Sequence, residues 1–412
     1  MKFEDYRIAP EIKQNLADLG FIRPTDIQYR AIGSILKNED VLAIAQTGTG
    51  KTAAFAIPIL HLLKHGSGRK KEPGVKCLVM VPTRELALQI TDVFNTIGKN
   101  TGIKAFALFG GVDQNPQISK LETGVDILIT TPGRMFDLAS QGHLILDRIK
   151  ILVLDEADRM LDLGFLKDIT DLSKRIPRSR QTLFFSATIN DHIKKLAYSL
   201  VRNAIRIQIS PKDPVSKNIN HSVAFISMDD KRFFLERMIR ENADNKILVF
   251  VRTKVRAERV LKALERVSIE SLTIHGDKDQ AARLSALKQF REGNVKVLIA
   301  TDVSARGIDI PDVDFVVNYD LPDVAENYVH RVGRTGRGKK KGMAFSFCSP
   351  EEKPLHKEIE KFIQKPIEVL KINKQEYEET LDLTQDVSDK WKATLDEIAA
   401  AESWMKKKRN KK

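Results

Sequence analysis

The residues with the clearest chemical potential form the segment Ala45-Gln-Thr-Gly-Thr-Gly-Lys-Thr52, which follows the apolar run 41–44. Its two glycines let the backbone curl so that successive N–H groups face one anion, and a helix beginning near Lys51 adds its positive end. In such a loop the lysine reaches phosphate oxygens and the Thr52 hydroxyl holds Mg²⁺. Taken alone, the segment also fits a glycine turn with a surface lysine. Its partners elsewhere in the chain must decide between the two readings.

Carboxylates end a second apolar run, Ile151-Leu-Val-Leu154, in the order Asp155-Glu-Ala-Asp158. After a buried strand of this type, Asp155 suits Mg²⁺, and Glu156 is placed to orient or deprotonate an attacking water. An acidic helix N-terminus is the alternative, because Asp and Glu also favour that position. With a phosphate loop upstream, we predict the catalytic role.

Polar turns follow other predicted strands of the N-terminal half. They are Pro82-Thr83-Arg84 after 76–81, Gly110-Gly111 after 105–109, Thr131-Pro132-Gly133-Arg134 after 126–130, and Ser186-Ala-Thr188 after 181–185. One such turn is usually only the capped start of a helix. Several at one edge of a sheet would form a track of hydroxyls, N–H groups and guanidinium groups for a phosphodiester backbone.

A glutamine precedes the phosphate loop. Pro24 fixes a turn, Thr25 can cap the next helix, and Gln28 lies in that helix's first turn. A capped helix with a solvated Gln28 is the simpler reading. Because the phosphate loop is near, we also consider that the amide reads adenine, whose exocyclic amine and N7 complement it.

The C-terminal half repeats the α/β pattern without a glycine-lysine loop, with strands predicted at 247–251, 271–274, 295–300, 314–318 and 343–347. It carries instead the segments 301–309 and 330–337. Arginines at 331, 334 and 337, interrupted by glycines, are poor core material, so a solvated basic face is the alternative reading. We predict that they approach a triphosphate held by the other domain, as arginine fingers supplied in cis.

A length of 412 residues suggests two to three domains. The alternation of strand and helix patterns in both halves predicts an α/β protein with two tandem domains, each a mainly parallel sheet flanked by helices. The expected boundaries are 1–209 for the first domain, 210–217 for a proline-bearing linker, 218–370 for the second domain and 371–412 for an extension. The net charge of +13 favours either a polyanionic partner or an acidic surface. The basic run at 405–412 is most simply an arm that adds affinity for nucleic acid. An acidic start and no long apolar run predict a cytoplasmic protein without a membrane segment. Cys77 and Cys348 are expected to be buried strand residues.

Taken in order, these motifs resemble the DEAD-box family of RNA helicases over residues 3–365, and among bacterial members the RhlE-like group most. The resemblance implies two RecA-like domains that bind ATP, Mg²⁺, and single-stranded and duplex RNA. It implies RNA-stimulated ATP hydrolysis coupled to domain closure, with local, non-processive unwinding of duplexes or remodelling of RNA–protein complexes. We expect a monomer whose C-terminal tail contacts protein partners.

The resemblance also implies a role for individual residues of this sequence. The catalytic set is Lys51, Asp155, Glu156, Arg334 and Arg337. The nucleotide set is Phe21, Gln28, Ala45, Gln46, Thr47, Gly48, Thr49, Gly50, Lys51, Thr52 and Asp309. The Mg²⁺ ligands are Thr52 and Asp155, in part through water. The RNA set is Pro82, Thr83, Arg84, Gly110, Gly111, Thr131, Pro132, Gly133, Arg134, Arg283 and Thr301. The set that couples the ATP site to the domain interface is Asp158, Ser186, Thr188 and His330.

Three other functions share part of this pattern. An ATP-gated RNA clamp that does not unwind would carry the same motifs. A DNA-directed translocase fits less well, because the glutamine motif and the Asp-Glu-Ala-Asp sequence match the RNA branch. A small-molecule phosphate-loop kinase does not need a second domain with motifs of its own.

Overall fold

A computed structural model describes residues 1–46, 48–66, 74–209, 215–302, 313–336 and 341–382. The chain divides at residues 212 and 213 into two compact units. The predicted linker 210–217 spans this division. Because residues 210–214 lie outside the described residues, its bounds stay a prediction.

The described part of the first unit contains one sheet of seven strands, all paired in parallel, in the order β3-β4-β2-β5-β6-β1-β7. The strands are β1 (Val41–Ala45), β2 (Cys77–Met80), β3 (Ala105–Leu108), β4 (Ile127–Thr130), β5 (Ile151–Leu154), β6 (Gln181–Ser186) and β7 (Ile205–Ile209). The helices are α1 (Pro10–Asp18), α2 (Asp26–Leu36), α3 (Lys51–His65), α4 (Arg84–Ile97), α5 (Asn115–Glu122), α6 (Pro132–Ser140), α7 (Ala157–Asp162), α8 (Leu166–Arg175) and α9 (Asp191–Leu200).

Both faces of the first sheet are buried. Successive side chains of a strand point to opposite faces, and in β1 Val41 and Ala43 join one apolar cluster while Leu42 and Ile44 join another. This is why the strands read as continuous apolar runs rather than as an alternation of apolar and polar residues.

The described part of the second unit also has a sheet of seven parallel strands, in the order β10-β11-β9-β12-β13-β8-β14. The strands are β8 (Ile219–Phe225), β9 (Ile247–Val251), β10 (Leu272–Ile274), β11 (Val297–Thr301), β12 (Phe315–Asn318), β13 (Gly342–Cys348) and β14 (Glu368–Val369). The helices are α10 (Lys231–Glu241), α11 (Lys254–Arg266), α12 (Gln280–Glu292), α13 (Ala325–Val332) and α14 (Lys353–Ile363). Residues 374–382 are also helical.

The predicted fold class is confirmed by these two parallel sheets. Parallel pairing places the carboxyl ends of the strands at one edge, where open α/β sheets bind ligands, and each polar turn of the first unit follows a strand there. Cys77 and Cys348 are free and buried, as predicted. Within the described ranges, no helix is both long enough and apolar enough to cross a bilayer.

Candidate functional site

The phosphate loop connects β1 to α3 through glycines in the left-handed region. Gly48 has a φ of +81° and Gly50 a φ of +94°. Gly50 is the N-cap of α3, so Lys51 begins the helix and the N–H groups of its first turn lie at the loop. A side chain at 50 would also collide with Gln28, since a Cβ there would lie 2.5 Å from Gln28 Nε2. Ala45, Gln46 and Thr49 lie in or beside the loop; Thr47 lies outside the described residues.

Lys51 is a buried cation, with 6% of its surface exposed. Its Nζ atom has no hydrogen-bond partner among the described residues. Because a buried, unpaired ammonium is costly, this atom fits a site whose ligand is an anion. Thr52 follows it on the first turn of α3 and is half-buried.

Gln28 braces the phosphate loop. Its Oε1 accepts a hydrogen bond from the Thr25 N–H at 2.9 Å, and its Nε2 donates to the Gly50 carbonyl at 3.1 Å. The Thr25 hydroxyl also donates to the Thr49 carbonyl at 2.8 Å. Gln28 is buried, so the reading of a solvated side chain is wrong, although its role in the helix cap is present. The amide retains one N–H and one lone pair beyond these bonds, which an adenine edge can use.

Phe21 presents an aromatic surface near Gln28 in sequence. It is 42% exposed, and its ring stacks on the buried Phe3 with 6.4 Å between the centroids. The Phe3 N–H donates to the carbonyl of Ile22 at 3.2 Å, which holds the N-terminus against this turn. The exposed face of Phe21 is therefore presented by a fixed segment.

The acidic pair lies directly after β5. Burial raises the pKa of Asp155 to about 6, and Lys51 opposes that shift. Asp155 Oδ1 accepts a hydrogen bond from the Glu156 N–H at 3.0 Å. Glu156 has φ +52° and ψ +49°, a left-handed conformation that non-glycine residues rarely adopt and that clusters at functional sites. Its carboxylate pairs with the buried Arg159 at 3.4 Å.

Asp158 connects the acidic turn to the turn after β6. Its Oδ2 accepts hydrogen bonds from the N–H groups of Ala187 and Thr188, both at 3.0 Å, and from the Thr188 hydroxyl at 3.3 Å. Ser186 is fully buried, and its hydroxyl has no partner within the described part of the chain. The predicted contact of Thr188 with Asp158 is present, whereas the coupling role of these residues stays a prediction.

The three other polar turns of this edge meet through two arginines. Gly111 has a φ of +77°, and a Cβ there would overlap the guanidinium of Arg84. Arg134 Nη2 donates to the Val112 carbonyl at 2.9 Å, while its Nη1 is buried with no hydrogen-bond partner in the described ranges. The Thr83 hydroxyl caps α4 by accepting from the Leu86 N–H at 3.4 Å. The flanking residues of these turns are Pro82, Gly110, Thr131, Pro132 and Gly133.

Arg331 in the second unit corrects one sequence interpretation. It is 1% exposed, and its Nε and Nη2 donate to the two carboxylate oxygens of Asp302 at 2.7 and 2.8 Å. Its Nη1 donates to the Asp320 carbonyl at 2.6 Å. The prediction that all three arginines of 330–337 approach a phosphate is therefore wrong for Arg331, because buried protein oxygens already saturate its guanidinium.

The structure also describes the predicted residues Arg334, His330, Thr301 and Arg283 of the second unit. Arg334 is buried just after the C-cap of α13, and its Nε donates to the His330 carbonyl at 3.3 Å. Thr301 ends β11 and is buried; Arg283 lies in the first turn of α12. Arg337 and Asp309 lie outside the described residues, so their roles stay predictions.

Sequence reasoning missed three contacts made to predicted residues or their loops, by Thr25, Arg159 and Asp302. Thr25 was read only as a helix cap, although it also binds the phosphate loop. Arg159 lies three residues after Glu156 on one helix turn, a spacing that could have predicted the ion pair. Asp302 follows β11, but only the fold brings it to Arg331.

Comparison with known proteins places the chain in a family. Residues 25–196 match the model described as DEAD/DEAH box helicase, and residues 230–339 match the model described as helicase conserved C-terminal domain. The ATP-dependent RNA helicase RhlB of Shewanella piezotolerans is 41% identical over 372 residues, which cover 89% of this chain and 85% of that protein. RhlB of Shewanella woodyi is 42% identical over 374 residues, covering 89% of this chain and 84% of that protein.

Solved structures agree with this placement. Dbp5 of S. cerevisiae bound to RNA and ADP BeF3 has a TM-score of 0.80 and 31% identity, covering 94% of this chain and 99% of that chain. The DEAD-box helicase Mss116 bound to ssRNA and UDP-BeF has a TM-score of 0.82 and 30% identity, covering 92% and 81%. The predicted pair of RecA-like domains is confirmed by these matches.

The relatives named above are RhlB proteins, whereas the sequence prediction favoured the RhlE-like group, which is a difference of subgroup within one family. The two family models, the identity to RhlB and the site geometry lead to one conclusion. The chain belongs to the DEAD-box family of ATP-dependent RNA helicases.

Proposed function

We propose that this helicase binds and hydrolyses ATP with Lys51, Asp155 and Glu156, and holds the backbone of an RNA strand on the turns after β2, β3 and β4. One observation carries the proposal. Two cationic donors of the first unit, Lys51 Nζ and Arg134 Nη1, are buried without a hydrogen-bond partner in the described structure. A buried ammonium without a hydrogen-bond partner is costly, so Lys51 requires an anion, which a nucleotide phosphate supplies. Arg134 already lies 3.6 Å from Asp137, and its unused Nη1 donor is available to an RNA phosphate.

The nucleotide contacts follow from the atoms that remain available. Gln28 offers one N–H and one lone pair to the adenine edge. Phe21, in the turn that precedes the helix of Gln28, offers an exposed aromatic ring. The N–H groups at the start of α3 and the Lys51 ammonium hold the phosphates.

Mg²⁺ would be held by Asp155 and by the Thr52 hydroxyl, oxygen ligands of the type that this ion prefers. Among the described residues, no group of three or more His, Cys, Asp or Glu could hold a metal ion by itself. Two protein ligands fit an ion whose other ligands come from nucleotide phosphates and water. When bound, the ion would neutralise phosphate charge.

The hydrolytic step needs a base or orienting group for water, and we assign that role to Glu156. Its left-handed backbone and its pairing with Arg159 fix the carboxylate near Asp155. Arg334, Arg337 and Asp309 of the second unit complete the proposal: the two arginines would stabilise charge on the γ-phosphate, and Asp309 would contact the ribose.

RNA and ATP are proposed to bind cooperatively because both favour the same closed state of the protein. Closure would bend one RNA strand into a path that a duplex cannot follow, so a short stretch would separate. Asp158, Ser186, Thr188 and His330 would transmit this change. The Dbp5 and Mss116 structures, each bound to RNA and a nucleotide analogue, support the proposal by similarity.

The test is Glu156→Gln, with the exposed Glu122→Gln as a matched control. We expect the RNA-stimulated ATPase rate of Glu156→Gln to fall about 10²–10⁴-fold, the usual contribution of a general base. Its RNA affinity in the presence of ATP should be retained, and Glu122→Gln should match the wild type. Equal ATP turnover in Glu156→Gln and the wild type would refute the assignment.

A strand-displacement assay beside the ATPase assay separates a helicase from a clamp that only binds RNA. RNA and DNA strands of one sequence should be compared in both assays, since only RNA offers the 2′-hydroxyl. We expect stimulation by RNA alone. Equal stimulation by DNA would favour a translocase.

A further inference from the structure

Residues 109–113, in the loop between β3 and α5, contain two glycines of the proposed RNA track, Gly110 and Gly111. This loop lies between two arginines assigned to that track. Arg84 packs against Gly111, where a side chain would overlap its guanidinium, and Arg134 Nη2 donates to the Val112 carbonyl at 2.9 Å. The conformation of this loop therefore determines the positions of its two glycines and of both guanidinium groups.

A single glutamine on α5, Gln117, fastens both ends of the loop. Its Oε1 accepts a hydrogen bond from the Phe109 N–H at 3.0 Å, and its Nε2 donates to the Asp113 carbonyl at 3.1 Å. The side chain is buried, with 6% of the residue exposed. The first residue of the loop offers a donor and the last an acceptor, and a carboxamide is the side-chain group that satisfies both at once.

The other glutamine at the start of α5 does not share this role. Gln114, one turn earlier, is half-buried and reaches only the exposed Gln141, at 3.4 Å. Gln117 is thus distinguished by burial and by two backbone partners at short distance. Its amide contributes to the shape of a loop rather than to the surface of the helix.

We propose that Gln117 is a positioning residue for RNA binding: it holds the 109–113 loop in the conformation in which Gly110, Gly111 and the two arginines meet the RNA backbone. The inference rests on the proposed role of this track in RNA binding. When both hydrogen bonds are present, the loop is ordered before RNA arrives. When they are removed, RNA binding must order the loop, and affinity decreases by that cost.

The experiment measures RNA dependence in Gln117→Met, which keeps the size of the side chain and removes both hydrogen bonds. The matched control is Gln375→Met, at an exposed position of the second unit whose amide donates to the side chain of Glu379. We expect the RNA concentration that gives half-maximal ATPase activity to rise about tenfold in Gln117→Met, a loss typical of two neutral hydrogen bonds. ATP turnover without RNA, the KM for ATP and the kcat at saturating RNA should match the wild type.

Gln117→Glu serves as a second variant if Gln117→Met does not fold, because its carboxylate still accepts from the Phe109 N–H but cannot donate to the Asp113 carbonyl. It should shift the RNA dependence in the same direction. The expected split, with RNA affinity changed and ATP parameters unchanged, would not arise from general destabilisation.

The outcomes separate the two proposals. If the wild type hydrolyses ATP equally well with and without RNA, the proposed function fails. If the wild type depends on RNA and both Gln117 variants show its RNA dependence, the positioning role is overturned. A parallel change in the KM for ATP, in kcat and in the unfolding midpoint would also overturn it, since that result indicates a purely structural residue.

Discussion

Each unit of this molecule buries a lysine, Lys51 in the first and Lys231 in the second, and the two differ in their partners. In the first unit, Lys51 and Arg134 each bury a donor atom that has no hydrogen-bond partner among the described residues. In the second unit, Lys231 is fully buried but pairs with Glu352 and donates to the Tyr319 carbonyl at 2.7 Å. Arg331 is saturated by the Asp302 carboxylate, the Asp320 carbonyl and the Asn318 side-chain oxygen.

The comparison shows that a buried cation can have either a structural or a functional role. A protein tolerates a buried cation either because an acid of its own compensates it or because a ligand does so for part of the working cycle. Lys231 and Arg331 belong to the first kind and hold the loop 319–321 and helix α13. Lys51 belongs to the second kind, whereas Arg134 is compensated in part by Asp137 at 3.6 Å and keeps only its Nη1 donor unused. Substitution of Lys231 should therefore damage stability, and substitution of Lys51 should damage activity.

The largest effect is expected for Lys231→Met. This change leaves the carboxylate of Glu352 buried beside Asp320 with one cation fewer, and breaking a buried pair costs about 3–5 kcal/mol in the free energy of unfolding. Both tryptophans lie at 391 and 404, in the C-terminal extension, so unfolding in urea should be followed by far-ultraviolet circular dichroism.

The double variant Lys231→Met/Glu352→Gln tests the reason for that loss. Neutralising the stranded carboxylate should restore at least half of the stability, while the exposed Lys361→Met should behave as the wild type. If the unfolding free energy of Lys231→Met lies within about 1 kcal/mol of the wild type, the distinction between Lys231 and Lys51 is contradicted.

Lys51→Met should show the opposite pattern. We expect ATP hydrolysis to fall about 10²–10³-fold, because a preorganised charge at the phosphates is lost. The unfolding free energy of the nucleotide-free protein should change by less than about 1 kcal/mol, since no hydrogen-bonded partner is stranded. A large loss of stability with intact turnover would show that Lys51 is a scaffold residue like Lys231.

The smallest effect concerns pH. Burial raises the pKa of Asp155 to about 6 from an ordinary 3.8, so its contribution to stability is complete below about pH 4 and is lost as pH rises through 6. Nucleotide-free Asp155→Asn lacks this dependence and should gain stability relative to the wild type across that range, by at most about 1.4 kcal/mol per pH unit. A difference that is constant from pH 4 to 7 would show that Asp155 titrates normally.

Much of the fold follows from local sequence. Apolar runs such as 151–154 predict buried parallel strands, and most strands of both sheets lie within a residue or two of their predicted bounds. Three strands were not predicted: β7, β8 and β14. In β7 and β8 exposed or polar residues interrupt the apolar pattern, and β14 has only two residues, so these strands depend on pairing with distant neighbours.

Part of the site was also determined by sequence alone. The glycines at 48 and 50 have the positive φ that the loop needs to close, and residue type together with spacing is sufficient to predict that conformation. The loop conformation is a local property, because it depends on the backbone within a few residues. The roles of Lys51 and Asp155 in catalysis stay predictions.

Only the tertiary structure decided which charged and polar groups have partners. Arg331 and Arg334 share one motif, yet Arg331 is saturated by Asp302, which lies 29 residues away in sequence. Nothing in the local sequence distinguishes Gln28 or Gln117 from a solvated glutamine. The backbone groups that they bind are identified only by the fold. Burial and pairing depend on residues that the chain brings together from afar, and local pattern does not carry that information.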